Sequence, residues 1–434
     1  MGDVTRPAPV GASDRRAGPD GPPAPAGPTP GADTRGRAVL WVLGALSTAV
    51  VVLQALRLAV HPQVDIDVYL QGASRLFAGT LYSGRTSGTG LLFTYPPFAA
   101  LLFEPLRVLP TRVAQLAWAV TNTAALALLL AASLAAARPG LGRRTVVQWS
   151  LVLMAPAYLL DPVRLTFGYG QVNLLLAAAV LIDLTRRVTV GRRTLPRGVF
   201  TGIAAAVKLT PLVFVPFLFL VRSTRAAWTA LATFVACSLL LVALAPRESW
   251  QFWTGDITDS RRIGRTFSFN NQSVAGVLER FHHGPVPSGV DLGVELLLAV
   301  AGLAVAVWAH RSSSALLGVL VCATTGLLIS PITWTHHLVW TIPILAWLVL
   351  AADRPPGGPA WAAAAFALFW WAPNWRAWAR GPAPLTEHGL QLLGGSGLFV
   401  AMLLFVAGVA ALLAVRRRTG SGDGPGTVVT GAGR

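Results

Sequence analysis

Charge is what this chain has least of. Only 12% of its 434 residues are Asp, Glu, Lys or Arg, while 54% are hydrophobic, about half the charged fraction of an ordinary soluble domain. So few ionised side chains fit a soluble enzyme poorly. Cysteine is scarce too. Cys237 and Cys322 each lie inside an apolar run, where a thiol is usually a small core residue, and they offer neither a disulfide framework nor a CxxC metal site. Lysine occurs once, at Lys208, every other strongly basic position being arginine. The start of the chain lacks the short apolar core behind a basic stretch that marks a signal peptide, so the first apolar run is expected to be an uncleaved anchor.

What is present is a series of apolar runs spread from about residue 38 to residue 415, several at or near the roughly 20 residues that cross a bilayer. They describe an all-α polytopic membrane protein. A net charge of +17 would suggest nucleic acid in a soluble domain. Here the arginines cluster in short loops between apolar runs and read as topology signals, so the partners expected are membrane lipids and no nucleic acid.

Arg35 and Arg37 precede the first span, about Ala38 to Val60, which places the N-terminus in the cytoplasm and His61 to Gly90 outside. Spans at Val113–Ala137, Val146–Leu160 and Val172–Leu184 then alternate, with Arg138, Arg143 and Arg144 and the Arg186–Arg197 cluster inside. Between Arg197 and Arg222 both ends look cytoplasmic, yet the apolar run is too short for two spans. A broken, re-entrant pair of shortened helices turning at Lys208 to Pro211 fits both the charges and the proline. Further spans follow at Ala226–Ala245, Leu292–Ala309, Ala315–Ile329, Leu338–Leu350, Ala360–Ala372 and Leu398–Val415. The total is about 10–12 transmembrane helices, with Leu91–Leu109 undecided between a crossing and an outer half-helix. Residues 1–36 and 419–434 are Gly- and Pro-rich or poor in large apolar side chains and are expected to be disordered cytoplasmic tails around a transmembrane domain at 37–418. No internal repeat is evident, which weakens a transporter reading.

On this map the polar residues between spans gather outside. Asp65 and Asp67 stand shortly after the first span, followed by Tyr69, Gln71, Arg75, Tyr82 and Tyr95. A carboxylate at a membrane boundary has its pKa raised by desolvation, which suits a general base; the plain alternative is a solvated loop acid. Acids at i and i+2 do not face one another, so one of the pair meets a cavity while the other meets water or an arginine. Lys208, inside the apolar run Ala204–Val213, is either a snorkelling lysine or a functional cation for which phosphate is the natural ligand. Gln171 and Asn173, in the run from Tyr169, either read sugar hydroxyls or cap a helix. His336 and His337 make a weak metal pair and a better phosphate contact. The loop expected from Pro246 to Asp291 carries Trp250, Trp253, Arg261, Arg262, Arg265, Asn270, Asn271 and Arg280, a mixture suited to a glycolipid's sugar faces and phosphates or to an interfacial anchor.

The strings DIDVYLQGASRLFAGTLYSG, TYPPFAALLFEPL, GYGQVNLLLAAAVLID, GIAAAVKLTPLVF, NNQSVAGVLER and SPITWTHHLVW, in that order, resemble glycosyltransferase family 87, the actinobacterial polyprenol-phosphate-sugar-dependent membrane mannosyltransferases. The resemblance implies a GT-C fold with an extracytoplasmic active site in the plasma membrane. It also implies inverting transfer of mannose from a polyprenyl-phosphate-mannose donor to a glycolipid or lipoglycan hydroxyl, with an α-1,2 link. By motif position Asp65 is the base and Asp67 the reserve. Lys208, His336, His337 and Arg265 are the expected phosphate partners, and Tyr69, Tyr95, Gln171, Asn173 and Asn271 the sugar or acceptor contacts. No nucleotide-sugar donor, cofactor or required metal is implied. An arabinofuranosyl donor is one alternative, and a lipid or glycan transporter is another.

Overall fold

In a computed structural model the chain is described at residues 2, 30–59, 61, 63–186, 188–259, 262–374 and 388–420. The tails expected at 1–36 and 419–434 fall largely outside that range, as does Arg261. The described residues are overwhelmingly helical. Their one sheet is a two-stranded hairpin, β1 (Thr189–Val190) against β2 (Arg193–Thr194), within the arginine-rich loop.

Five helices are long and apolar enough to cross a bilayer: α1 (Pro30–Ala59), α4 (Thr111–Ala137), α11 (Thr224–Leu244), α14 (Ser288–Ser312) and the C-terminal helix Gly397–Gly420. Shorter apolar helices complete the bundle, namely α8 (Asn173–Thr185), α15 (Ala315–Ile329) and α16 (Thr341–Leu350). Leu43, Leu46, Leu53, Leu239, Leu296 and Val300 are exposed, because lipid, not water, is the medium these helices meet. The protein is a multi-pass membrane protein.

Residues 91–109, open between a crossing and a half-helix, form the shorter element: α3 (Pro97–Arg107) has 11 residues, about 16 Å of helix, against a hydrocarbon core of about 30 Å. Two expectations need revision. The stretch expected as a loop from 246 to 291 contains two short amphipathic helices, α12 (Pro246–Thr254) and α13 (Val274–His282). The expected span Val146–Leu160 is itself interrupted at Leu153, between α5 (Arg143–Val152) and α6 (Met154–Tyr158). Ser47 bridges that break from α1, donating to the Val152 carbonyl and accepting from the Ala155 amide, each at 2.8 Å. Backbone groups freed at membrane depth need such partners.

The re-entrant pair takes the expected form. After α9 (Val199–Val207) the backbone is extended at Lys208, passes through a 3-10 turn at Thr210–Val213, and continues as α10 (Phe214–Leu220). Gly198 faces Ala226 and Ala230 of α11 while Gly202 faces Ala230 and Thr233, so α9 and α11 run side by side in the same direction. Parallel neighbours require the intervening chain to return to its starting level, which α10 does. The starting level is the arginine-rich end. There Asp183 accepts from the Gly198 and Thr201 amides at 2.9 and 3.0 Å, Arg311 donates to the Leu220 carbonyl, and Arg416 donates to the carbonyls of Asp353 and Arg354. The opposite end carries α2 (Val64–Arg75), α7 (Asp161–Tyr169), α12 and α13.

The α9–α11 contact depends on two missing side chains. A Cβ on Gly202 would lie 2.4 Å from the Ala230 carbonyl oxygen, a backbone atom that cannot swing aside. Gly202→Val is expected to lower the thermal unfolding midpoint of the detergent-solubilised protein by the equivalent of about 1–3 kcal/mol. Gly168→Ala, where nothing lies within 4 Å of an added Cβ, should leave the midpoint unchanged or slightly raised.

Candidate active site

The end opposite the arginine clusters encloses a cavity of about 830 Å³. Its polar wall is built from Asp65, Tyr95, Gln171, Lys208, Arg262 and His336. Its apolar wall, formed by Leu212, Val213, Pro216, Ala299, Leu303 and Ile329, comes from the re-entrant turn, α14 and α15 and faces membrane depth. One space thus meets both a charged site and the lipid-level interior of the bundle.

Asp65 sits in the first turn of α2, whose N-terminal amides favour a carboxylate. Burial nevertheless dominates and pushes its pKa up to about 6, opposed by a hydrogen bond with the Gln171 side chain and by the charge of Lys208. The small exposure that Asp65 retains is to the cavity it lines. Asp67, two residues on, turns away, does not line the cavity, and accepts from Gln115 at 3.4 Å.

Behind Asp65 a set of neutral groups fixes Gln171. The Tyr69 hydroxyl donates to Gln171 Oε1 at 3.0 Å, and its oxygen lies 3.0 Å from the Tyr95 hydroxyl. Asn173 donates to the same Oε1 at 3.3 Å. With its oxygen so occupied, the Gln171 amide nitrogen is left for Asp65. Gly170 makes this approach possible. It caps α7 in the left-handed conformation, φ 72°, and an added Cβ would come 3.0 Å from Ile66 of α2. Its carbonyl accepts from Trp118 at 2.7 Å.

Lys208 stands at the break of the re-entrant pair. Its ammonium donates to Asn173 Oδ1 at 3.0 Å and to His337 Nε2 at 2.9 Å, and lies 5.5 Å from the centre of the Tyr95 ring. An ammonium has no acceptor to offer, so His337 is neutral with its proton on Nδ1. His336 is held by its backbone carbonyl, which accepts from Asn173 at 3.1 Å. Its ring packs edge-on against Tyr169, and its Nε2 is buried without a partner among the described residues. The residue lines the cavity.

Several expected residues take other places. Tyr69 is fully buried behind the wall and supports Tyr95 and Gln171 without reaching the cavity. Asn173 grips Lys208 and does not line this space. Asn271, expected at a sugar, is consumed by backbone: its side chain accepts from the Thr333 amide and donates to the carbonyls of Thr266 and Pro331. Arg265 is exposed and off the wall, because the chain turns at Gly264 (φ 151°) against Trp334. The arginine on the wall is Arg262, paired with Asp256 at 3.3 Å and donating to the Tyr82 carbonyl. Arg262 was one of several outer arginines, and only the Asp256 partner, distant from any motif, distinguishes it. Among the described residues no group of three or more His, Cys, Asp or Glu side chains is arranged to hold a metal ion.

A family model for glycosyltransferase family 87 matches residues 93–331. A relative from Mycobacterium tuberculosis (strain ATCC 25618 / H37Rv), named a polyprenol-phosphate-mannose-dependent alpha-(1-2)-phosphatidylinositol mannoside mannosyltransferase, is 36% identical over 71% of this chain and 76% of its own length. The chain belongs to glycosyltransferase family 87. A relative of the same name from Mycolicibacterium smegmatis is 33% identical over 82% of this chain and 86% of its own. Another from M. tuberculosis (strain CDC 1551 / Oshkosh), named for a phosphatidylinositol pentamannoside acceptor, is 33% identical over 67% of this chain and 68% of its own. No solved structure matches the chain. This family 87 enzyme is therefore a membrane glycosyltransferase, which bears out the resemblance read from the six motifs and sets the transporter alternative aside.

The raised pKa of Asp65 has a cost. Above about pH 6 the folded protein holds a desolvated carboxylate, and the shift from the ordinary 3.8 corresponds to about 3 kcal/mol of lost stability. The penalty disappears as pH falls through the folded pKa toward the unfolded one. Asp65→Asn is accordingly expected to raise the unfolding midpoint at pH 8, with the difference from wild type shrinking by pH 5.

Proposed function

We propose that this enzyme transfers a mannosyl group from polyprenyl-phosphate mannose to a hydroxyl of a phosphatidylinositol mannoside, with inversion and an α-1,2 link. Transfer takes place at the extracytoplasmic face of the plasma membrane, both termini lying in the cytoplasm. The observation that carries the reading is that Asp65, the Lys208–His337 pair and His336 share one cavity whose deep wall, from the re-entrant turn, α14 and α15, is apolar. The relatives' donor and acceptor, polyprenol-phosphate-mannose and phosphatidylinositol mannosides by name, favour mannose over arabinose and this class of acceptor.

In this mechanism Asp65 takes the proton of the acceptor hydroxyl as its oxygen attacks the anomeric carbon of the donor. The bond from that carbon to the phosphate oxygen breaks on the opposite face, and polyprenyl phosphate leaves with the bonding electrons. Lys208 faces the charge that develops on the phosphate, and His336 Nε2 hydrogen-bonds one of its oxygens. Such groups, set in place before the reaction and shielded from water, favour the transition state over the ground state. The first isoprenoid units lie along Leu212, Val213, Ala299 and Leu303, at the depth where the rest of the lipid is already solvated by the bilayer.

The test is transfer by the purified, lipid-reconstituted protein from labelled polyprenyl-phosphate mannose to mannosylated phosphatidylinositol acceptors. Asp65→Asn is expected to lose at least about a hundredfold in rate, the usual scale of general-base catalysis, while Asp67→Asn stays within a few-fold of wild type. Because the base must be ionised, kcat/KM should fall with pH below about 6. Full activity of Asp65→Asn would overturn the assignment of the base, and no transfer by wild type would overturn the donor.

A further inference from the structure

The NNQS motif splits into two jobs, and only its first residue faces the cavity. Asn271 uses its side chain on backbone, as described above. Gln272 donates to the Gly395 carbonyl at 2.7 Å and accepts from the Phe399 amide at 2.9 Å. Ser273 caps α13 by accepting from the Gly276 amide at 3.1 Å. These three tie the segment to the 331–333 turn and to the C-terminal helix. Asn270 differs. It is only partly buried, it lines the cavity, and its Oδ1 accepts from Asn374 Nδ2 at 3.2 Å. Its own amide nitrogen has no acceptor among the described residues, which leaves that nitrogen to the cavity.

Asn374 explains the orientation. It is fully buried behind the wall, and the same Nδ2 also donates to Thr335 Oγ1 at 2.8 Å, while its Oδ1 has no partner among the described residues. Both N–H groups of one carboxamide are therefore spent on two residues that line the cavity. The reversed amide would bury two unsatisfied donors in place of one acceptor, so the orientation is fixed. Ala372, just beyond α17 (Gly358–Trp371), takes the left-handed conformation with φ 50°, uncommon for a residue with a Cβ. That turn brings Asn374 under the wall.

We propose that Asn270 and Thr335 form the subsite that reads the donor's sugar hydroxyls, with Asn374 as the positioning residue that aims them. This rests on the glycosyl-donor reading above. Two neutral groups suit hydroxyls better than phosphate. Asn270 presents amide hydrogens, and Thr335, whose oxygen accepts from Asn374, keeps its own proton to donate. Thr335 immediately precedes His336 and His337, so one turn holds the sugar through its first residue and the phosphate end through the next two. The subsite selects by leaving buried polar groups unpaired when a hydroxyl is missing or inverted, which discriminates more sharply than shape alone.

The experiment measures kcat/KM for polyprenyl-phosphate mannose and for each of its monodeoxy forms, with wild type, Asn374→Leu and Asn270→Ala in lipid. With the full donor, both variants are expected to lose about tenfold, the scale of one or two hydrogen bonds to neutral groups. With the monodeoxy donor that lacks the hydroxyl read by Asn270, Asn270→Ala should match wild type within about twofold, and Asn374→Leu should keep only the part of its loss that passes through Thr335. A merely structural role would lower kcat/KM by the same factor for every donor, and that result, or no loss with any donor, overturns the proposal. Should Asn374→Leu fail to fold, Asn270→Ala, changed at a partly exposed position, carries the comparison alone. Absence of transfer by wild type from any of these donors overturns the underlying function and the subsite with it. Transfer by wild type with uniform losses in the variants overturns the subsite only.

Discussion

An ammonium group carried to membrane depth costs several kcal/mol unless it is paired or hydrated, and Lys208 is carried there by the chain's own break. The α9 helix stops at Lys208 with extended backbone, the chain reverses through a 3-10 turn, and α10 returns toward the arginine-rich end. Groups from separate elements converge on that one side chain. The first residue of α8 supplies Asn173 Oδ1, the turn before α16 supplies His337 Nε2, and α2 supplies the charge of Asp65. Three elements distant in sequence are thereby fixed to one point. The close approach of Gly198 and Gly202 to α11 holds the break at its level from the other side.

The same economy governs the carboxylate. Asp65 is not set directly against a strong base or a cluster of donors, which would hold its pKa low and leave it a poor acceptor of protons. It meets one amide of Gln171 and a cation at longer range, and burial wins. The neutral chain Tyr69, Tyr95, Gln171 and Asn173 connects carboxylate and ammonium through shared hydrogen bonds. The two charges thus keep a set separation without forming an ion pair, leaving the cavity between them for a substrate. A direct salt bridge would be easier to hold and chemically inert.

Much of this was legible in the sequence, and the parts that were not share a cause. The apolar runs and arginine clusters marked the spans and even the re-entrant pair, because length against bilayer thickness and charge against topology are nearly one-dimensional constraints. Lys208 stood out as the lone lysine in an apolar run. Helical spacing said that only one of Asp65 and Asp67 would meet a cavity, but which one depended on the rotation of α2, which Tyr69, Ile66 and Gly170 determine by packing. Arg265 and Arg262 are equivalent on paper. Gly264 and the Asp256 pair separate them in space. Asn374 carried no signal, since a single amide after an apolar helix reads as a boundary residue until the turn at Ala372 puts it under the cavity wall.

A motif is commonly read as though each of its polar residues touched substrate, and the NNQS string shows why that inference misleads in a membrane protein. Loops at the end of a bundle must satisfy backbone groups without the regular ladders of a helix, and water reaches them poorly once other loops pack above. Carboxamides answer that need because each offers two donors and an acceptor with two lone pairs. Asn271 and Gln272 therefore serve the backbone, and it is their rigidity that allows the preceding residue, Asn270, to serve a ligand. On the proposed reading the order of dependence runs outward from structure to chemistry. Asn271 and Gln272 fix the segment, Asn374 fixes the face that Asn270 shows, and the ligand meets only the last of these. A substituted outer residue can then cost activity without ever having touched the sugar, and rate alone does not tell these roles apart. Which donor hydroxyls the loss depends on does.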